Sequence, residues 1–190
     1  AFQQNDLNTK GGKVWAYVYD SGLAELEQVA MEAYKMFASH NGLDFSVFPS
    51  LLKMENDIVA ETASLFSDRP ETLAGTFTSG GTESIILAVK AARDYARAHK
   101  PGIRKPEIIL PETAHAAFHK AAHYLNINTV LVPVDEAFKV DLEAVQNQIT
   151  ENTIMLVGSA VSYSHGVTDP IEALSDLALK HDLWLHVDGC

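Results

Sequence analysis

The sequence predicts an α/β domain: a mostly parallel sheet with helices on both faces. Two observations predict it. From Thr82 onward, segments with helical spacing of apolar residues alternate with apolar runs of four or five residues, too short for helices. Such alternation implies parallel strands joined by crossover helices. The composition agrees, since 190 residues with 47% hydrophobic and 21% charged side chains can bury a core of their own.

After a polar lead, Val14 to Tyr19 reads as a short strand or extended arm. Leu23, Leu26, Ala30, Ala33, Tyr34 and Phe37 recur at helical spacing and predict a helix over 23–38, with Ser21 as its cap. A loop from Asn41 to Pro49 leads to a second helix over 51–66, capped by Ser50 and ended by Asp68-Arg69-Pro70. Its core candidates are Leu51, Met54, Ile58, Ala63 and Leu65. Further helices are predicted over 82–98, 114–124, 142–150 and 170–181, and strands over 107–110, 129–132, 154–157 and 183–187. Residues 1–50 read as an N-terminal arm and helix, and residues 51–190 as the first part of a larger domain. No repeat, low-complexity tract or linker interrupts them.

Charge and cysteine content narrow the function classes. Against 25 Asp and Glu there are 14 Lys and Arg, a net charge of -11, so no general field would hold a nucleic acid or an anionic membrane surface. Any anion must be gripped locally. Cys190 is the one cysteine, which rules out an internal disulfide and zinc patterns built on Cys pairs. A reducing, cytoplasmic setting is the expectation. No apolar run is long enough for a membrane span, and the first residues lack the pattern of a secretory leader. The absence of an initial Met, and a stop directly after the apolar run 183–187, point to a partial chain.

In parallel sheets ligands collect beyond the carboxyl ends of the strands, where helix N-termini also point. Three places qualify. Thr78-Ser79-Gly80-Gly81-Thr82-Glu83-Ser84 precedes a helix. Its glycines permit close backbone approach, and its amides and hydroxyls suit a phosphate, the alternative being a plain capped turn. A triphosphatase loop would need Lys where Gly81 stands. Asp188 ends an apolar strand, where an unpartnered carboxylate is costly to bury, so it faces a site or caps a following helix. His115, His119 and His123 share a helical face at spacing four, but no carboxylate or Cys completes a zinc set, and no metal is assigned.

The motifs Thr78 to Ser84, Pro111 to Phe118 with Lys120-Ala121-Ala122, His165-Gly166-Val167-Thr168-Asp169-Pro170 and Leu185 to Cys190 resemble, as an ordered set, the pyridoxal-phosphate group II decarboxylases. The likeness is strongest to their carbon-carbon lyases, which act on phosphorylated sphingoid bases. It implies an aminotransferase-like large domain of fold type I, pyridoxal 5'-phosphate as cofactor, a small amine or amino-acid substrate and a homodimer. By position, the resemblance implies that Ser79, Gly80, Gly81 and Thr82 bind the cofactor phosphate. His115 would stack on the pyridine ring, Asp188 would pair with the ring nitrogen, and Tyr19 and Asn41 would meet substrate. The implied activity is retro-aldol cleavage, with amino-acid decarboxylation or a noncatalytic binding role as alternatives.

Some positions depart from the family. Its cofactor-bonding lysine follows the Asp in a His-Lys pair, whereas His99-Lys100 and His119-Lys120 precede Asp188, so the segment alone is expected to be inactive. Asp44 stands where the lyases carry a phosphate-handling His, and an acidic group there would repel phosphate. Ala160-Val161 replaces Thr-Pro, and Gly189 replaces an Ala.

Overall fold

A computed structural model describes residues 2–11, 14 and 21–190, so the arm read over Val14 to Tyr19 lies almost wholly outside the described residues. The chain divides into two units between Phe77 and Thr78. That boundary falls later than residue 50 because the second helix packs with the stretch from Pro70 to Gly75. A 3-10 turn, Pro70–Thr72, lies against that helix, and a Cβ on Gly75 would stand 2.8 Å from Val59 Cγ1.

The first unit holds α1 (Ala24–Phe37) and α2 (Pro49–Phe66). Ser21 is not the cap of α1. Its hydroxyl accepts the Leu23 N–H at 3.2 Å, and Leu23 itself is the capping position. Nor does Ser50 cap α2, because the helix starts at Pro49, whose missing N–H costs nothing at the first helical position. Burial departs further from the expectation. No residue of α1 is buried and Ala63 alone is buried in α2, while Met54, Ile58 and Leu65 are exposed and Leu51 is half-buried. An apolar stripe records that a helix can be covered; it does not supply the cover.

The second unit has the predicted order: α3 (Gly81–His99), β1 (Glu107–Pro111), α4 (Ala117–Leu125), β2 (Asn128–Val132), α5 (Leu142–Gln148), β3 (Thr153–Ser159), α6 (Ile171–Lys180) and β4 (Trp184–Asp188). All strands pair in parallel, in the order β2-β1-β3-β4. Alternation along β1 builds two cores. Ile108 and Leu110 join Val89 and Phe118 on the α3 and α4 side, while Ile109 joins Val145 and Leu174 on the α5 and α6 side. Central strand β3 is buried at every position, as a strand covered on both faces must be. Full burial of a side chain such as Phe118 or Leu174 stabilises the fold by about 1.5–3 kcal/mol.

Two ends are set by side-chain chemistry. Asp141 caps α5 by accepting the N–H groups of Glu143 and Ala144. At the end of α4, Asn126 takes the left-handed conformation with φ 55°, which Asn tolerates better than most residues. Among the described residues no helix is long and apolar enough to cross a membrane.

Candidate active site

The chain runs outward from β1 to β2 and then returns to β3 on the other side of β1, so the topological switch point lies between β1 and β3. In open parallel sheets this crevice, beyond the carboxyl ends of the strands, is where ligands bind. His115 follows β1, a Tyr163-bearing loop follows β3, and Asp188 ends β4. The second unit therefore gathers two of the sequence-predicted residues at one end of its sheet.

The glycine-rich turn joins them. A Cβ on Gly81 would lie 3.6 Å from the sulfur of Cys190, two residues past Asp188. The N-terminus of α3 thus stands beside the end of β4. No intrahelical acceptor serves the first amides of a helix, so those of Gly81 and Thr82, with the Thr82 hydroxyl, have the chemistry an anion site requires. Ser79 has a different duty from the one expected of it. Its N–H and its hydroxyl both donate to Glu83 Oε2, at 2.7 and 2.6 Å, and these bonds hold the Glu83 carboxyl below its ordinary range. Ser79 shapes the turn, as does Thr78, whose hydroxyl bonds Ser84 Oγ at 2.7 Å.

Asp188 pairs with Ser159 in the sheet register, and its carbonyl accepts the Ala160 N–H at 2.8 Å. Its Oδ1 accepts the Cys190 N–H at 3.1 Å. Among the described residues no Lys or Arg forms an ion pair with the carboxylate. His186, two residues earlier, shares its face of the strand and meets Phe118 edge-on at 5.4 Å. Burial pushes the His186 imidazole below its ordinary range, against the opposing pull of Asp188.

His115 precedes α4 instead of lying inside it, because the helix begins at Ala117. Its Nδ1 accepts the Ala117 N–H at 3.1 Å. The three-histidine helical face is therefore broken at its first member, and among the described residues no group of three His, Cys, Asp or Glu could hold a metal ion. Asn41 belongs to the first unit, where its Oδ1 accepts the Leu43 N–H at 3.1 Å. Tyr19 lies outside the described residues.

Sequence reasoning missed Asp169 and Tyr163. Asp169 is 3% exposed, and its two oxygens accept the N–H groups of Val140 and Ser159 at 2.8 and 2.7 Å, tying the end of β3 to the segment before α5. Its place in the motif His165 to Pro170, ahead of a helix, is the signal, but that motif does not mark its buried clamping role. Tyr163 packs edge-on to His115, and nothing in the local sequence marks it.

A helix N-terminus behind a glycine-rich turn, a strand-end carboxylate without an ion-pair partner among the described residues and an imidazole at the switch point suit a cofactor carrying both a phosphate and a basic ring nitrogen. Fold and site together define the large domain of a pyridoxal-phosphate enzyme of fold type I. The chain belongs to the pyridoxal-dependent decarboxylase family, whose conserved domain matches residues 16–190. Sphingosine-1-phosphate lyase of Arabidopsis thaliana is 45% identical over 186 residues, which cover 94% of this chain and 34% of that protein. Sphingosine-1-phosphate lyase 1 of Rattus norvegicus is 44% identical over 189 residues, 100% of this chain and 33% of that one. The solved structure of the Burkholderia pseudomallei sphingosine-1-phosphate lyase matches with a TM-score of 0.82 at 41% identity, covering 89% of this chain and 40% of that one. The chain thus spans about a third of the length of these curated relatives.

Proposed function

We propose that the complete protein is a pyridoxal-phosphate-dependent carbon-carbon lyase that cleaves beside the amine-bearing carbon of an amino alcohol. The observation that carries this reading is the approach of Gly81 to Cys190, which puts the glycine-rich turn beside the strand end that presents Asp188. The amides of Gly81 and Thr82 bind the cofactor phosphate, His115 packs on the ring, and Asp188 keeps the ring nitrogen protonated. When bound, pyridoxal phosphate supplies an electron sink for the charge left when a bond to the amine-bearing carbon breaks. The covalent link to the cofactor comes from a lysine outside this segment, and the segment alone is inactive.

Tyr19 and Asn41 meet the substrate in this reading, which the resemblance to lyases supports. A homodimer is supported by the apolar side chains that α1 leaves exposed, among them Leu26, Val29, Met31 and Met36. A reducing, cytoplasmic setting fits the single cysteine.

The test supplies the full-length protein and cofactor with long-chain amino alcohols, phosphorylated and unphosphorylated, and with amino acids. Release of an aldehyde is expected; carbon dioxide from an amino acid would replace the lyase reading with decarboxylation. Asp44 gives a second readout. Its carboxyl is held below the ordinary range chiefly by the hydrogen bond from the Ser46 hydroxyl. Asp44→His is expected to shift the ratio of rates toward the phosphorylated substrate, because it removes a negative charge that repels phosphate.

A further inference from the structure

Tyr163 is 74% exposed, yet its ring meets the His115 imidazole edge-on, with centroids 5.6 Å apart and planes at 64°. An exposed aromatic would ordinarily sweep through several rotamers and backbone positions. Here the loop that carries it is braced. Ser162 is 2% exposed, its N–H donates to the Val167 carbonyl and its carbonyl accepts the Gly166 N–H, both at 2.8 Å. His165 stacks on Phe138 at 4.4 Å, and Asp169 fastens the far end of the loop to two backbone N–H groups. The loop between β3 and α6 thus presents Tyr163 from a fixed base at the switch point.

His115 is constrained by a backbone group as well. Because Nδ1 accepts the Ala117 N–H, Nδ1 carries no hydrogen, and the neutral ring holds its hydrogen on Nε2. That bond limits rotation of the imidazole, and the edge-on contact with the Tyr163 ring adds a second restraint. Edge-to-face contact places the positive edge of one ring against the negative face of the other, which fixes their mutual angle.

We propose that Tyr163 is a positioning residue for His115: with the Ala117 N–H it holds the imidazole in one orientation and one tautomer for contact with the cofactor ring. This rests on the reading of His115 as the ring-stacking residue. Tyr163 acts through its ring, so phenylalanine fulfils the role and alanine does not.

The experiment uses the full-length protein with bound pyridoxal phosphate and compares Tyr163→Ala, Tyr163→Phe and His115→Ala. Readouts are the visible circular dichroism per bound cofactor, the apparent cofactor affinity and the ring-nitrogen chemical shifts of His115. Tyr163→Ala is expected to lower the dichroism, to weaken cofactor affinity about threefold and to bring the second tautomer into the nitrogen spectrum. Tyr163→Phe is expected to match the wild type in all three. Wild-type dichroism and nitrogen shifts in Tyr163→Ala, or failure of phenylalanine to rescue, would overturn the proposal. His115→Ala separates the two readings. If it alters the dichroism while Tyr163→Ala does not, only the role of Tyr163 falls; if it too leaves the dichroism unchanged, the ring-stacking reading falls as well.

Discussion

The carboxylate of Glu83 accepts both donors of Ser79, closing a clasp across Gly80 and Gly81 at the mouth of α3. Glu83 sits in the first turn of the helix, where a negative charge also complements the helix dipole. The clasp sets the shape of the turn that presents the amides of Gly81 and Thr82.

This pairing depends on pH with a definite sign. The Ser79 hydroxyl and amide lower the folded-state pKa of Glu83 below the ordinary 4.5. The contribution of the clasp is therefore complete above that ordinary value and is lost as pH falls through the lowered one. The Ser79 amide resonance is expected to titrate below pH 4.5, and Glu83→Gln to abolish that titration. An amide that keeps titrating in the variant would show that Glu83 is not its partner. Loss of the clasp in Glu83→Ala is expected to weaken cofactor affinity, read by equilibrium dialysis.

His186 gives a second pH signature, of the same sign for a different reason. Burial disfavours its charged form and lowers its pKa from 6.5, with Asp188 opposing. The unfolded chain takes up the proton first, so the stability tied to the neutral ring is full above the ordinary value and falls as pH drops through the lowered one. Between about pH 7.5 and pH 5.5 the urea midpoint of the wild type is expected to decline more than that of His186→Gln. Parallel declines would mean that His186 is not the group responsible.

Asp169 is the structural clamp of the site. Removing its carboxylate leaves two N–H groups, of Val140 and Ser159, without their acceptors in a buried place. Asp169→Ala is expected to cost about 3 kcal/mol, since each unsatisfied buried donor costs about 1–3 kcal/mol. Asp169→Asn rescues this only in part, because its amide nitrogen cannot accept from the second N–H. A loss below about 1 kcal/mol in chemical denaturation would mean that water replaces the carboxylate.

Much of this architecture is legible in the sequence, and the exceptions share physical causes. Each strand of the second unit falls on an apolar run, because β-structure covered on both faces leaves a continuous apolar signature, as Thr153–Ser159 does. Gly81, His115 and Asp188 stand out as candidates because each lies near a strand end or a helix start. Ser50 fails as a cap because Pro49 competes for the same helix start and prevails. The exposure of α1 is not legible, because periodicity records amphipathicity and not its partner. The roles of Asp169 and Tyr163 are not legible because they depend on partners far along the chain: Val140 is 29 residues from Asp169, and Tyr163 reaches His115 only through the fold of a loop.

Asp188 tests the electronic half of the proposed function apart from the binding half. Its carboxylate accepts the Cys190 N–H, and no cationic side chain pairs with it among the described residues; in the proposed function its partner is the protonated ring nitrogen. Asp188→Ala removes the group that keeps this nitrogen charged while leaving the amides of Gly81 and Thr82 in place. Turnover is expected to fall by about 10²-fold or more, the order of loss when one preorganised electrostatic partner is deleted from an active site. Cofactor retention is expected to persist in part through the phosphate. Asp188→Asn, which keeps the shape without the charge, is expected to lose nearly as much turnover as Ala; near-normal rates in either variant would refute the ring-nitrogen role.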